Sequence, residues 1–229
     1  MTKLLFAIFA HPDDEAFGPS GVLLQEVESG AEVHLITLTL GGAGQNPDGY
    51  DDLEAVREKE WRAGGELIGA LSMTPLGFHD GQLSNTAMIE AAERIQERVV
   101  EAAANRSDIE IEFMTTDLNG ITGHIDHIVA GRAACLAFYR LRENHPELGM
   151  TRIRLVCIPR AQLPESNIDW LYMEPGRTET EIDETIDARN RRDQIIEIMR
   201  CHHTQRQDAE GHISRRGDEL GMSYFRILQ

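Results

Sequence analysis

Two short stretches hold most of the residue types that can do chemistry. In A-H-P-D-D-E, residues 10–15, an apolar run stops and His11, Pro12, Asp13, Asp14 and Glu15 follow at once. In G-H-I-D-H, residues 123–127, His124, Asp126 and His127 stand close together. His11 and Asp14 are three apart on a tight turn in which Pro12 fixes one φ. A third ligand would have to come from the second stretch. Two histidines, one carboxylate and an open position make a catalytic zinc pattern, whereas a structural site would use four cysteine or histidine ligands. Each stretch alone also reads as a helix cap, because an aspartate ahead of a helix accepts backbone N–H bonds. His11, Asp13 and His127 further fit the H-x-D…H order of non-haem iron oxygenases. Those triads sit on all-β jelly rolls and would leave Asp14 without a role.

Chemistry at residues 11–15 and 123–127 needs a scaffold that brings them together. LLFAIFA (4–10) is a continuous apolar run, as in a strand covered on both faces. A helix over 18–30, a strand over 32–40 ended by G-G-A-G (41–44) and a helix over 51–71 follow. A short run at 74–78 precedes H-D-G. A helix over 86–106, a strand over 109–116, a helix over 126–144 and a strand over 152–160 continue the alternation. Residues 184–203 read as one helix and 222–228 as a last strand, with Pro159, Pro164 and Pro175 marking turns. This rhythm predicts an α/β fold, a Rossmann-like, mostly parallel sheet with helices on both faces, as a single domain over 1–229. Sites in such sheets lie beyond the carboxyl ends of the strands. H-P-D-D-E, G-G-A-G, H-D-G and N-G-I-T-G-H-I-D-H all fall there.

The bulk numbers narrow the partners. Lys plus Arg total 22 against 39 Asp plus Glu, a formal charge of −17 over 229 residues. Such a surface repels phosphate backbones and anionic membranes, so neither nucleic acid nor membrane is expected as a partner. Three scattered cysteines, Cys135, Cys157 and Cys201, suit a reducing compartment. The first residues do not form a leader pattern, and no apolar run approaches the ~18 residues of a membrane span. The expectation is a cytoplasmic protein. Of the remaining histidines, His34 is expected to be packed in a strand, His145 and His212 solvated, and His79 in a turn that could line the site.

The motifs, taken in order, resemble the PIG-L/LmbE family of zinc-dependent deacetylases of N-acetylglucosaminyl conjugates. They are A-H-P-D-D-E, the L-I-T-L-T-L-G-G-A-G strand and loop, Arg57 with Glu60, Leu67-Ile68-Gly69, Asp80-Gly81, G-H-I-D-H, and His202-His203-Thr204-Gln205. The resemblance implies that His11, Asp14 and His127 bind zinc, with Fe2+ as another candidate, and that a zinc-bound water is the nucleophile. Asp13 would be the general base. His124, protonated and oriented by Asp126, would face the substrate carbonyl, and Arg57 and Asp80 would contact sugar hydroxyls. The implied partner is a small GlcNAc-type glycoconjugate, and a homo-oligomer stays open. Thr122 stands where some thiol-biosynthesis members carry a tyrosine. Loops 43–52 and 160–182 would choose the aglycone. Two alternatives remain: an amidase acting on another N-acyl amine, or a non-catalytic sugar-binding module of the same fold.

Overall fold

The computed structural model of the chain describes residues 1–163 and 176–229, the Thr122 side chain excepted. One seven-stranded sheet runs through it in the order β3-β2-β1-β4-β5-β7-β6. The strands are β1 (Thr2–Phe9), β2 (Glu32–Thr39), β3 (Ser72–Phe78), β4 (Ile109–Thr116), β5 (Met150–Cys157), β6 (Glu184–Asp187) and β7 (Met222–Leu228). The first five pair in parallel, while β7 runs antiparallel to β5 and to β6.

The expected continuous apolar strand is central, and alternate residues serve opposite faces. Leu4, Phe6 and Ile8 pack with α4 (Asn85–Ala103) and α6 (Ile125–Asn144). Leu5, Ala7 and Phe9 pack with α1 (Asp14–Phe17), α2 (Ser20–Glu28), α3 (Leu53–Ile68) and α7 (Arg192–Cys201). Each fully buried Leu, Ile or Phe stabilises the fold by ~1.5–3 kcal/mol, so both layers are held by the same alternation. On α4 the buried set Ala91, Ala92, Ile95, Val99 and Ala103 follows helical spacing. The two glycines inside α3 permit close approach: a Cβ on Gly65 would overlap Met73, and one on Gly64 would press on His202.

Residues 184–203 correct the expectation of one helix. Glu184–Asp187 form the edge strand β6, Arg189–Arg191 a 3-10 turn, and only Arg192–Cys201 the helix α7. Asp187 stops the strand by accepting the Arg189 N–H at 3.0 Å, a local turn bond that breaks any continuous helix. A further helix, α8 (Arg206–Arg216), and a short α5 (Gly120–Gly123) complete the set used below. No helix among the described residues is long and apolar enough to cross a membrane. His34 is buried as expected, stacked on Phe6 at 4.6 Å with its Nδ1 2.7 Å from Ser72 Oγ. Pro164, Pro175 and most of the loop 160–182 lie outside the described residues.

Candidate metal centre

β1 ends at Phe9, and the chain turns directly into α1, so residues 11–15 stand at the carboxyl end of the central strand. Asp14 opens α1, and its Oδ2 accepts the backbone N–H groups of Ala10 (3.1 Å) and His11 (3.0 Å). Its Oδ1 therefore faces outward, 3.2 Å from His127 Nε2. His127 lies in the first turns of α6, with its Nδ1 3.2 Å from the Gly120 carbonyl. That carbonyl only accepts, so Nδ1 carries the proton and Nε2 presents a lone pair. His11 Nδ1 lies 3.2 Å from the same Nε2. The other nitrogen of His11, Nε2, lies 2.9 Å from Asp80 Oδ1 and 3.5 Å from Asp126 Oδ2. Carboxylates behind a histidine fix its tautomer and leave the opposite nitrogen free as a ligand.

Two imidazole nitrogens and a carboxylate oxygen thus meet at hydrogen-bond distance, an arrangement that calls for a shared cation. His11, Asp14 and His127 form one group that could hold a metal ion, and His11, His124 and Asp126 a second. The donor chemistry favours the first, since the second would use the proton-bearing edge of His11. Without metal, His11 is pushed up to about 10: burial opposes its charge, but the Asp126, Asp80 and Asp14 carboxylates outweigh it. Burial would raise Asp14, yet His127 and His11 together with the backbone N–H bonds hold it far below the usual range.

Asp13 sits at the head of α1 with φ 109°, and its side chain makes no cap bond. The capping role open from sequence is not the one it plays. A non-glycine residue in that region costs of order 1–3 kcal/mol and persists only where its surroundings impose it. Arg57 does so here. Its Nη2 donates to Asp13 Oδ2 (2.8 Å) and Pro12 O (2.7 Å), and its Nη1 donates to Gly41 O (2.9 Å). A Cβ on Gly41 or Gly44 would overlap the guanidinium, which explains two of the three glycines of the G-G-A-G loop. Burial pushes the Asp13 carboxyl up to about 6, with Arg57 pulling the other way and Asp14 adding to the rise.

Four residues expected at the site are tied into the protein by these contacts. Arg57, expected to contact a sugar hydroxyl, is 3% exposed and donates to Asp13. Asp80 backs His11, and its Oδ2 accepts the Ala43 N–H at 2.9 Å. Burial would raise its carboxyl, but His11 and the Ala43 bond bring it down to about 2. Asp126 turns to His11 and to the Gly81 N–H, 2.7 Å away, instead of to the His124 ring. His124 itself caps α6: its Nδ1 accepts the Asp126 N–H at 3.2 Å, leaving Nε2 as the donor edge. Burial first, then His127 and His11, lower its pKa, contrary to the protonated imidazole expected.

The late motif supports this layer from behind. Glu60 accepts the Thr204 N–H (2.9 Å) and hydroxyl (2.7 Å), tying the turn after α7 to α3. His202, 1% exposed, lies 3.4 Å from Glu15 Oε1 and edge-on to Phe17. Gln205 Nε2 donates to Gln45 O at 3.0 Å. Glu15 carries no signal in the sequence beyond its place in the motif. A cavity of about 1060 Å³ opens from Asp14, His124 and His127. Contrary to the expectation of a solvated side chain, His212 lines it, stacked on Phe17. On the other side of Asp80, a cleft of about 500 Å³ is lined by His79 and by Tyr50 and Asp51 of loop 43–52.

The chain is 28% identical over 187 residues to a 1D-myo-inositol 2-acetamido-2-deoxy-alpha-D-glucopyranoside deacetylase of Geodermatophilus obscurus, covering 71% of this chain and 64% of the relative. It is 29% identical over 152 residues to a probable N-acetyl-alpha-D-glucosaminyl L-malate deacetylase 2 of Bacillus cereus, covering 64% and 66%. The chain thus spans just under two thirds of the length of these two relatives. Among solved structures, N,N'-diacetylchitobiose deacetylase from Pyrococcus horikoshii superposes with a TM-score of 0.71 at 17% identity, over 99% of this chain and 83% of that one. The 4-carboxy-2-hydroxymuconate hydratase GalB of Pseudomonas putida does so with 0.71 at 16%, over 100% and 97%. These two likenesses show the fold, which hosts more than one chemistry. The family model described as PIG-L, GlcNAc-PI de-N-acetylase, matches residues 6–138, from β1 through most of α6, and the chain belongs to that family.

Proposed function

We propose that this protein is a metal-dependent N-deacetylase that hydrolyses the acetamide of a small GlcNAc-type glycoconjugate. The observation that carries the reading is the convergence of His11 Nδ1, His127 Nε2 and Asp14 Oδ1, with the Asp13 carboxylate next in the chain and the His124 donor edge on the same cavity. His11, Asp14 and His127 would hold the ion. Zinc there supplies Lewis-acid polarisation and acidifies a water to a pKa of ~7.

Asp13 accepts the proton that the attacking water loses, and Arg57 fixes the carboxylate for that task. His124 donates from Nε2 to the oxygen of the substrate carbonyl as it gains negative charge, a contact whose loss typically costs about 3–4 kcal/mol. The C–N bond then breaks, and Asp13 returns its proton to the departing amine. Asp80 and Asp126 act one layer out, by keeping the ligand edge of His11 turned inward. The names of the curated relatives support a GlcNAc-type substrate. The likeness to a hydratase makes the site, rather than the fold, the ground for choosing deacetylation.

Acetate release from GlcNAc, GlcNAc-inositol, GlcNAc-malate and chitobiose tests the reading, with zinc present and after chelation. Release that chelation abolishes and zinc restores is the expected result. Metal-loaded protein that releases no acetate from any GlcNAc conjugate overturns it.

A further inference from the structure

The chamber beside the triad is larger and more apolar than an acetamido sugar needs. At about 1060 Å³ it stands at the top of the ~300–1,000 Å³ range that encloses drug-sized ligands. Beyond Asp14, His124 and His127 its walls are Phe17, Ile121, Ile158, Leu163, Ile195 and Met222. Part of its polar lining is tied up within the protein, although the buried Arg216 Nε has no partner among the described residues. Arg216 donates from Nη1 to Gln162 Oε1 (2.7 Å) and from Nη2 to Glu219 O (3.1 Å) and Met222 O (2.5 Å). Gln162 in turn donates to the Tyr224 hydroxyl at 3.0 Å. His212 stacks on Phe17 at 6.1 Å and 19°, and burial together with Arg216 and Arg215 pushes it down to about 4, so its ring is neutral. The charged lining residues Asp208, Arg215 and Glu219 are exposed, which places their charge toward water.

Ile121 adds an independent sign. It holds φ 61° and ψ −61°, with its N–H donated to Asn119 Oδ1 at 3.0 Å. A β-branched residue is a poor choice for that backbone, where glycine would relax. The strained position nevertheless presents an isoleucine to the chamber, three residues before His124.

We infer that the aglycone this chain accepts is an apolar group, aryl or alkyl, lodged in the chamber between α1, α8 and β7. The inference rests on the deacetylase reading above. An apolar aglycone gains from leaving water against these walls. A polyol or a dicarboxylate would instead exchange hydrogen bonds with water for described walls that return few.

The test compares kcat/KM for acetate release from p-nitrophenyl-GlcNAc and octyl-GlcNAc with that from GlcNAc-inositol and GlcNAc-malate, using zinc-loaded protein. The apolar glycosides are expected to lead by at least about tenfold, mainly through KM. Met222→Gln and Ile158→Gln, two separate changes of the wall, should each narrow that ratio about threefold. Equal or better turnover of the polar conjugates overturns the inference and leaves the deacetylase reading standing. A ratio unmoved in both folded variants overturns it as well. No acetate from any of the four glycosides takes down the reading and the inference together.

Discussion

The two ends of strand β1 carry two clusters of buried charge, and they are balanced in different ways. At its start, Lys3 lies 2.9 Å from both Glu26 and Glu112. Arg152 pairs with Glu112 at 3.1 Å, and Arg154, 1% exposed, pairs with Glu26 at 2.6 Å and with Glu112. Each of those two carboxylates meets permanent cations. Just past its end, Asp13, Asp14, Asp80 and Asp126 face Arg57 and histidines. Among those described partners only Arg57 is charged at every pH. The first cluster is balanced by permanent cations and is structural, while the second holds more carboxylates than permanent cations and includes a group that could hold a metal ion. The difference between permanent and titratable partners separates a staple from a site.

Four measurements break or sharpen that comparison. Asp14→Ala should have the largest effect, with bound metal and turnover both falling to background in metal analysis and acetate assay. Asp13→Ala should keep its metal yet lose ~10²–10⁴ in kcat, the range for a general base. A variant that stays fully active removes Asp13 from the mechanism. At the other end of the strand, Arg154→Ala should leave metal content intact and lower unfolding free energy by about 3–5 kcal/mol, because it strands buried carboxylates. Denaturant unfolding reads this directly, and unchanged stability would dissolve the contrast.

The last measurement concerns pH in the metal-free protein. His11 is raised in the folded state to about 10 from 6.5. A raised histidine contributes stability that is complete below pH 6.5 and lost as pH climbs through about 10. Thermal unfolding of metal-free protein should therefore weaken across that window. Added zinc should flatten the slope, since the cation takes over the role of the proton. A slope that zinc leaves untouched would separate His11 from the metal.

Much of this layout was legible before any coordinates. The apolar run of β1, the helical spacing on α4 and the polar clusters after each strand predict the α/β layers and the rim on which the site lies. Pairings across distance were less legible. Asp126 looks like a partner for His124 because they are two residues apart, but on a helix neighbours at i and i+2 do not face each other. The Asp126 carboxylate turns instead to Gly81 and His11. Arg57 reads from the motif as a sugar contact, and nothing local shows its bond to Asp13 or the room that the glycines at 41 and 44 make for it. Residues 184–187 read as helix because nothing local announces an edge strand, whose existence depends on β7 arriving from the far end of the chain.

The backbone of Asp13 carries a last consequence, for anyone evolving this protein. A residue at φ 109° is the place where a search for heat resistance and a search for turnover would disagree. Glycine relaxes that conformation without steric strain, but it leaves the buried Arg57 guanidinium without its carboxylate. Asparagine tolerates a positive φ and still offers Arg57 an acceptor oxygen, so a library screened for thermal tolerance alone should drift toward asparagine at position 13, shedding the proposed base. Selection for activity has to be applied at each round to keep the aspartate there.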